Sequence, residues 1–147
     1  MDENTQLTAR QILQIIPLVM RTVASELRQT GHILTPGHYH LLWILSRRSC
    51  TISELAAEQS VSLPSTSSSI GVLVARGWVK RERDASDRRK VVVELTPTGK
   101  EVVAAIEAQA QARVAALVAS LSDRDCERLS EGLAILRKVF TSDRYEG

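Results

Sequence analysis

The chain has 147 residues, 44% of them hydrophobic but only 3% aromatic, with a formal net charge of +2. That length accommodates one domain with a substantial core, and an aliphatic, alanine-rich composition favours helices over a β-sandwich. So small a net charge excludes any argument for nucleic acid from the total, and only the placement of the charges can support one. No apolar run approaches the roughly 20 residues that span a bilayer, and acidic Asp2 and Glu3 stand where a signal peptide would be basic, so a cytoplasmic protein with no membrane partner is expected. Cys50 and Cys126 lie far apart, without a CxxC pair or a histidine at ligand spacing, which argues against a disulfide framework and a metal site.

In chain order, Thr8 to Gln29 reads as a helix whose apolar face is Ile12, Ile15, Ile16, Val19, Met20, Val23 and Leu27, ended by Gly31. Pro17 inside it removes a backbone donor and predicts a kink or a break near Ile16. Thr35-Pro36 is a cap followed by a first-turn proline, and Tyr39, Leu42 and Leu45 carry a second helix to about Ser46. On it, His38 and His40 are two apart and point to different sides, which is poor geometry for a shared metal. His40 and Trp43 share a face. Cys50 follows Arg47-Arg48, and neighbouring cations lower a thiol pKa, so it is the better redox candidate of the two cysteines.

Thr51-Ile52-Ser53-Glu54 is a capping box, in which Thr51 accepts from the Glu54 amide while the Glu54 carboxylate reaches back to the Thr51 amide. A short helix follows, ending near Ser60. After a turn at Ser60-Val61, a second helix begins with Ser62 or Ser65 as cap and Pro64 in its first turn. Ile70, Leu73 and Val74 recur at three-to-four spacing and are expected to point inward, leaving Pro64, Ser65, Ser67, Ser68 and Gly71 facing away. Serine is about half a kcal/mol per residue poorer than alanine in a helix, so this one depends on tertiary packing.

Gly77 stops that helix and Trp78 to Arg83 begins a strand; Val91, Val93 and Leu95 alternate with Val92 and Glu94 in a second. The turn between them is Asp84-Ala85-Ser86-Asp87. From Arg76 to Lys90 the chain carries seven basic residues against three acidic ones, a local net of +4, whereas Leu121 to Gly147 has five against six. Charge is therefore concentrated on one hairpin. Thr96-Pro97 caps a long helix with Val102, Val103, Ile106, Ala110, Val114, Leu117 and Val118, and Ser122 to Asp125 caps the last, with Leu129, Leu133, Leu136 and Phe140 inward. These terminal helices hold more apolar surface than a small domain can cover, and a second copy is the natural cover.

Two helices joined by a tight turn and followed by a basic hairpin make a winged helix-turn-helix. The fold class expected is mainly α with a small β-hairpin wing, the winged helix-turn-helix domain being joined to a helical dimerisation region formed by the N- and C-terminal helices. From about Leu7 to Phe140 the chain resembles the MarR family of winged helix-turn-helix transcriptional regulators. The resemblance rests on Leu34-Thr35-Pro36, Ile52-Ser53-Glu54-Leu55-Ala56, Ala75-Arg76-Gly77-Trp78-Val79, Asp84 to Arg89 and Leu95-Thr96-Pro97-Thr98-Gly99, taken in order and spacing. It implies a single MarR-type domain over 1–147. Within it, about 34–98 form the DNA-binding part, with the helix-turn-helix at about 51–76 and the wing at about 78–95; about 5–31 and 97–141 are dimerisation helices.

The resemblance further implies a homodimer on a pseudo-palindromic double-stranded operator. Most relatives repress transcription and release DNA on binding a small, often aromatic or phenolic effector or on thiol oxidation. The expected DNA contacts are Ser62, Pro64, Ser65, Thr66, Ser67, Ser68, Arg76, Arg83, Arg88, Arg89 and Lys90, with Asp87 orienting a wing arginine. His40 and Trp43 are the candidate effector wall and Cys50 the candidate redox thiol. One departure bears on mechanism: relatives often carry arginine or another long polar residue at the positions matching Ser68 and Val72, so base readout here is expected to be weak and groove shape to matter more. No nucleophile–base–orienter set and no phosphate-binding loop appears, so neither catalytic residues nor a cofactor is expected. The competing readings are a winged-helix protein-interaction module and an activator or anti-repressor of the same family.

Overall fold

The computed structural model describes residues 1–29 and 35–142. The expected helix stop at Gly31 and the Leu34 that opens the first matching word lie outside the described residues. Two compact units are present, residues 1–110 and 111–147. The elements are α1 (Glu3–Gln29), α2 (Pro36–Arg47), β1 (Cys50–Thr51), α3 (Ile52–Gln59), α4 (Leu63–Ala75), β2 (Val79–Arg83), β3 (Val91–Leu95), α5 (Pro97–Val118) and α6 (Asp123–Ser142). β1, β3 and β2 lie side by side in that order as an antiparallel sheet. Val79 to Arg83 pair with Leu95 to Val91, and β1 pairs Cys50 with Val93 and Thr51 with Val92. The two-residue β1 has no sequence signature of its own.

Caps set the helix starts. Thr35 accepts from the His38 amide at 3.1 Å, Thr51 from Glu54 at 3.1 Å, Ser62 from Ser65 at 3.3 Å and Ser122 from Asp125 at 3.1 Å. Each satisfies one of the amides a helix leaves without an intrahelical partner. Only the Thr51 half of the capping box forms as expected, because the Glu54 carboxylate faces Arg48, with Nη1 at 3.4 Å, while Nη2 of the same arginine meets Glu58 at 2.8 Å. α1 starts at Glu3, earlier than expected, and runs on through Pro17 as one helix rather than breaking near Ile16.

Both helix stops around the recognition segment use one device. At Ser60, the Ser60 amide bonds Ala57 O and the Val61 amide bonds Ala56 O; at Gly77, the Gly77 amide bonds Val74 O and the Trp78 amide bonds Leu73 O. These are paired Schellman bonds, and they place the residue after the helix in the left-handed region, Gly77 at φ +76° and Ser60 at φ 54°. Glycine adopts that conformation without penalty and serine does not.

The core of the first unit is aliphatic: Leu41, Leu42, Ile44 and Leu45 of α2 meet Leu55, Ile70, Leu73, Val79, Val93 and Leu95, closed by Leu27 and by Val102, Val103 and Ile106 of α5. Each fully buried side chain of this size contributes about 1.5–3 kcal/mol of transfer free energy. Two expectations about α4 are corrected: Val74 is 37% exposed, and Thr66 is 1% exposed with its hydroxyl donating to Ser62 O at 3.0 Å. The inward stripe is Thr66, Ile70 and Leu73. In the second unit, Leu129, Leu133 and Phe140 of α6, expected to point inward, are exposed, as are Ile135 and Val139. In the first unit, Ile15, Ile16, Val19 and Met20 of α1 are exposed as well.

Thr96 joins three elements. Its hydroxyl donates to Gly77 O at 2.6 Å and accepts from the Gly99 amide at 3.0 Å, while its own amide donates to Trp78 O at 3.0 Å. The first turn of α5 thus lies directly on the Gly77-Trp78 turn, so close that a Cβ at Gly99 would overlap the Trp78 carbonyl oxygen. We therefore expect Gly99→Ala to cost about 1–3 kcal/mol, the usual penalty of overpacking. Ser60→Gly, which releases a strained backbone, should raise stability instead. Urea unfolding of both variants checks the pair, and equal midpoints would contradict it.

Candidate nucleic-acid interface

The interface candidates fall on α4 and on the hairpin of β2 and β3. On α4, Pro64, Ser65 and Ser68 are exposed, Ser67 is half-buried, and Ser62 is the exposed N-cap. These lie together on the outward face. Thr66 leaves the set, since burial inside the unit keeps its methyl from any base. Val72, 41% exposed, and exposed Leu63 add apolar surface to that face that the sequence reading did not assign. The signal was available in Val72, which is out of phase with Ile70 and Leu73 at helical spacing. Arg76, just after the helix, stacks its guanidinium 5.0 Å from the Trp78 ring.

The wing turn is knitted internally. Asp84 Oδ1 accepts from the Ser86 amide at 2.9 Å and its hydroxyl at 2.8 Å, and these bonds hold its carboxyl below the ordinary range. The Asp84 amide donates to Lys90 O and the Lys90 amide to Asp87 O, each at 3.0 Å. Asp87 Oδ1 accepts from Arg89, from its amide at 3.1 Å and its Nε at 3.4 Å. Asp87 therefore faces Arg89 rather than Arg88, and leaves the Arg89 side chain 93% exposed. Arg88 and Lys90 are exposed beside it. Arg83, also a candidate contact, donates Nη1 to Arg88 O at 3.0 Å and so braces the turn. Lys80 is held by Glu94 at 2.9 Å and Glu82 at 3.3 Å, which removes one cation from the local excess.

Between the helix-turn-helix and the wing lies a groove of about 500 Å³, lined by Thr51, Ser53 and Glu54, by Leu63 and Ser67 of α4, and by Arg89, Lys90 and Val91. Hydroxyls and cations converge there. The one lining carboxylate, Glu54, is engaged by Arg48.

A second cavity, about 590 Å³, lies within the first unit between α1 and α2. Met20, Val23, Ala24 and Leu27 form one wall and Tyr39, His40 and Trp43 the other, with Ala110 of α5 at one side. The His40 and Trp43 rings lie 6.2 Å apart at 42°, and Arg47 sits 4.9 Å from the Trp43 ring while approaching Glu107 at 4.0 Å. The structure thus brings both candidate effector residues into one apolar pocket and adds the α1 residues and Tyr39, whose hydroxyl pKa burial pushes up. His38 is not in the lining, and desolvation, helped by Arg76, lowers its pKa.

Cys50 corrects an expectation. Its side chain lies in the core, 2% exposed, with Sγ 3.7 Å from Arg48 O, and burial pushes the thiol pKa up more strongly than Arg48 lowers it. Proximity in sequence to two arginines does not produce a thiolate when the strand turns the sulfur inward. Cys126 is exposed. Among the described residues no helix is long and apolar enough to cross a membrane.

Comparison with known proteins bears on the same elements. Residues 34–90 match the MarR family model. The uncharacterized HTH-type transcriptional regulator YfiV of Bacillus subtilis is 28% identical over 95 residues, covering 65% of this chain and 59% of that protein. The transcriptional regulator AdcR of Streptococcus pneumoniae is 33% identical over 69 residues, 47% of each chain. Apo MarR from E. coli superposes with a TM-score of 0.76 at 24% identity, over 89% of this chain and 94% of that one. A MarR family protein from Bacillus stearothermophilus reaches 0.81 at 22% identity, over 96% and 99%. The stretch that matches the MarR family model runs to Lys90 at the end of the wing turn, and the fold of the chain is that of the solved MarR-type structures.

Proposed function

We propose that this regulator works as a homodimer on a pseudo-palindromic DNA duplex, represses nearby genes, and is released by a small aromatic or phenolic effector. The observation that carries the DNA reading is the pairing of an exposed hydroxyl face on α4 with exposed Arg88, Arg89 and Lys90 across a groove lined by both. A hydroxyl-lined, cationic groove of this kind accepts a phosphodiester strand, while the helix meets base edges and the wing meets the adjacent minor groove. With only short side chains on α4, the wing cations supply most of the affinity. Arg88→Ala and Arg89→Ala should weaken binding to an operator and to a scrambled duplex alike. Each lost phosphate contact lowers the log–log salt slope by about 0.9. Ser68→Ala should cost less, since one neutral hydrogen bond contributes about 0.5–1.5 kcal/mol. Fluorescence anisotropy across a salt series tests the ranking, and unchanged slopes and affinities in both arginine variants would dismiss it.

Dimerisation is supported by the exposed apolar residues of α1 and α6, each set large enough to need a cover. Sedimentation at micromolar concentration should give a dimer, which sets half-sites about 34 Å apart or a multiple of it. A folded monomer under those conditions would remove both.

The effector reading rests on the apolar pocket under His40 and Trp43. Its wall suits a flat ring, and the buried Cys50 leaves oxidation without comparable support. Titrating a small aromatic carboxylate should quench Trp43 emission, with no quench in Trp43→Phe, and should dissociate the DNA complex of the unmutated protein. If the quench persists in Trp43→Phe, the ligand lies elsewhere.

A further inference from the structure

β1 pairs with β3 at Val93 and Val92 alone, opposite Arg81 and Glu82 of β2, so no third strand backs the Arg83–Val91 pair or the turn after it. Beyond that level the wing is a two-stranded ribbon, and such ribbons twist and bend readily when nothing else holds them. Side chains on β2 alternate faces. Lys80 and Glu82 pair with each other, and Lys80 also pairs with Glu94. Arg81 and Arg83 occupy the opposite phase, and each ends on a carbonyl oxygen: Arg83 on Arg88 O in the turn and Arg81, through Nη2 at 3.0 Å, on Ser67 O in the middle of α4.

The Arg81 bond crosses from the wing to the recognition helix. Ser67 O already accepts within the helical ladder, and its second lone pair receives the guanidinium. Residue 71 borders this seat: a Cβ there would stand in van der Waals contact with Arg81 Nη2, at 3.4 Å, and a longer branched side chain would compete with the guanidinium for the space.

We propose that Arg81 is a positioning residue that fixes the wing relative to α4. Its consequence for DNA rests on the proposed function above. Helix and wing must enter neighbouring grooves of one duplex, so the distance between them is part of the recognition, and a tie from mid-strand to mid-helix sets it without touching the DNA.

Hydrogen–deuterium exchange of the free protein tests the tie, and duplex binding tests its consequence. In Arg81→Ala the amides of Asp84 to Val91 should exchange faster at an unchanged urea midpoint. Duplex affinity should fall about three- to tenfold, the range set by one hydrogen bond, with the wild-type salt slope. Gly71→Leu, which keeps the arginine's charge but fills its seat, should reproduce the faster wing exchange. Unchanged exchange in either variant overturns the proposal. A salt slope lower by about 0.9 in Arg81→Ala also overturns it, because Arg81 would then be a phosphate ligand itself. Wild-type protein that binds no duplex defeats the DNA reading instead, and the exchange arm, which needs no DNA, still decides whether Arg81 holds the wing.

Discussion

The contact of the first α5 turn with the Gly77-Trp78 turn governs how the hairpin is set against α4. Thr96 holds the end of β3, the start of α5 and the stop of α4 with a single side chain and its own amide. Because Gly99 allows backbone to lie on backbone there, the hairpin leaves α4 at a set angle instead of swinging about Gly77. Schellman bonds at Ser60 stop α3 just ahead of α4, the Ser62 side chain caps the start of α4, and Schellman bonds at Gly77 stop it, so both of its ends are set by local hydrogen bonds. A site built on such supports keeps its geometry between binding events, and little ordering cost is left for the moment of contact.

Charge on the hairpin is divided by position. Along the strands, cations are neutralised or engaged: Lys80 by two glutamates, Arg81 and Arg83 by carbonyl oxygens. Toward the turn, Arg88, Arg89 and Lys90 are exposed, and the two aspartates beside them accept bonds from Ser86 and Arg89. A local excess of +4 counted from sequence therefore overstates what the strands present and places the available field near the turn.

Much of this architecture was legible in the residues because it is local. Thr35, Thr51, Ser62, Thr96 and Ser122 each cap within three residues of their own position, and Gly77 stops a helix by its own conformation. What the sequence hid depends on packing. Thr66 and Val74 exchange their expected places because a run of serines carries no apolar phase to orient the helix until Ile70 and Leu73 find the core. Glu54 prefers Arg48, six residues away, to the backbone amide that the capping box offers it. Cys50 follows two arginines yet lies inside, since strand pairing with Val93 decides its direction. Leu129, Leu133 and Phe140 read as inward at helical spacing, and that period marks a face that seeks cover without saying whether this chain supplies it.

The order β1-β3-β2 leaves β2 as an outer strand with unpaired backbone donors and acceptors, the kind of edge onto which another chain's strand can add. In this protein that edge reads Lys80-Arg81-Glu82-Arg83, four charged residues in succession. A strand laid against it would have to desolvate all of them. That cost opposes growth of the sheet from its β2 side, so the long edge of the wing stays a solvated ribbon instead of a template for further strands.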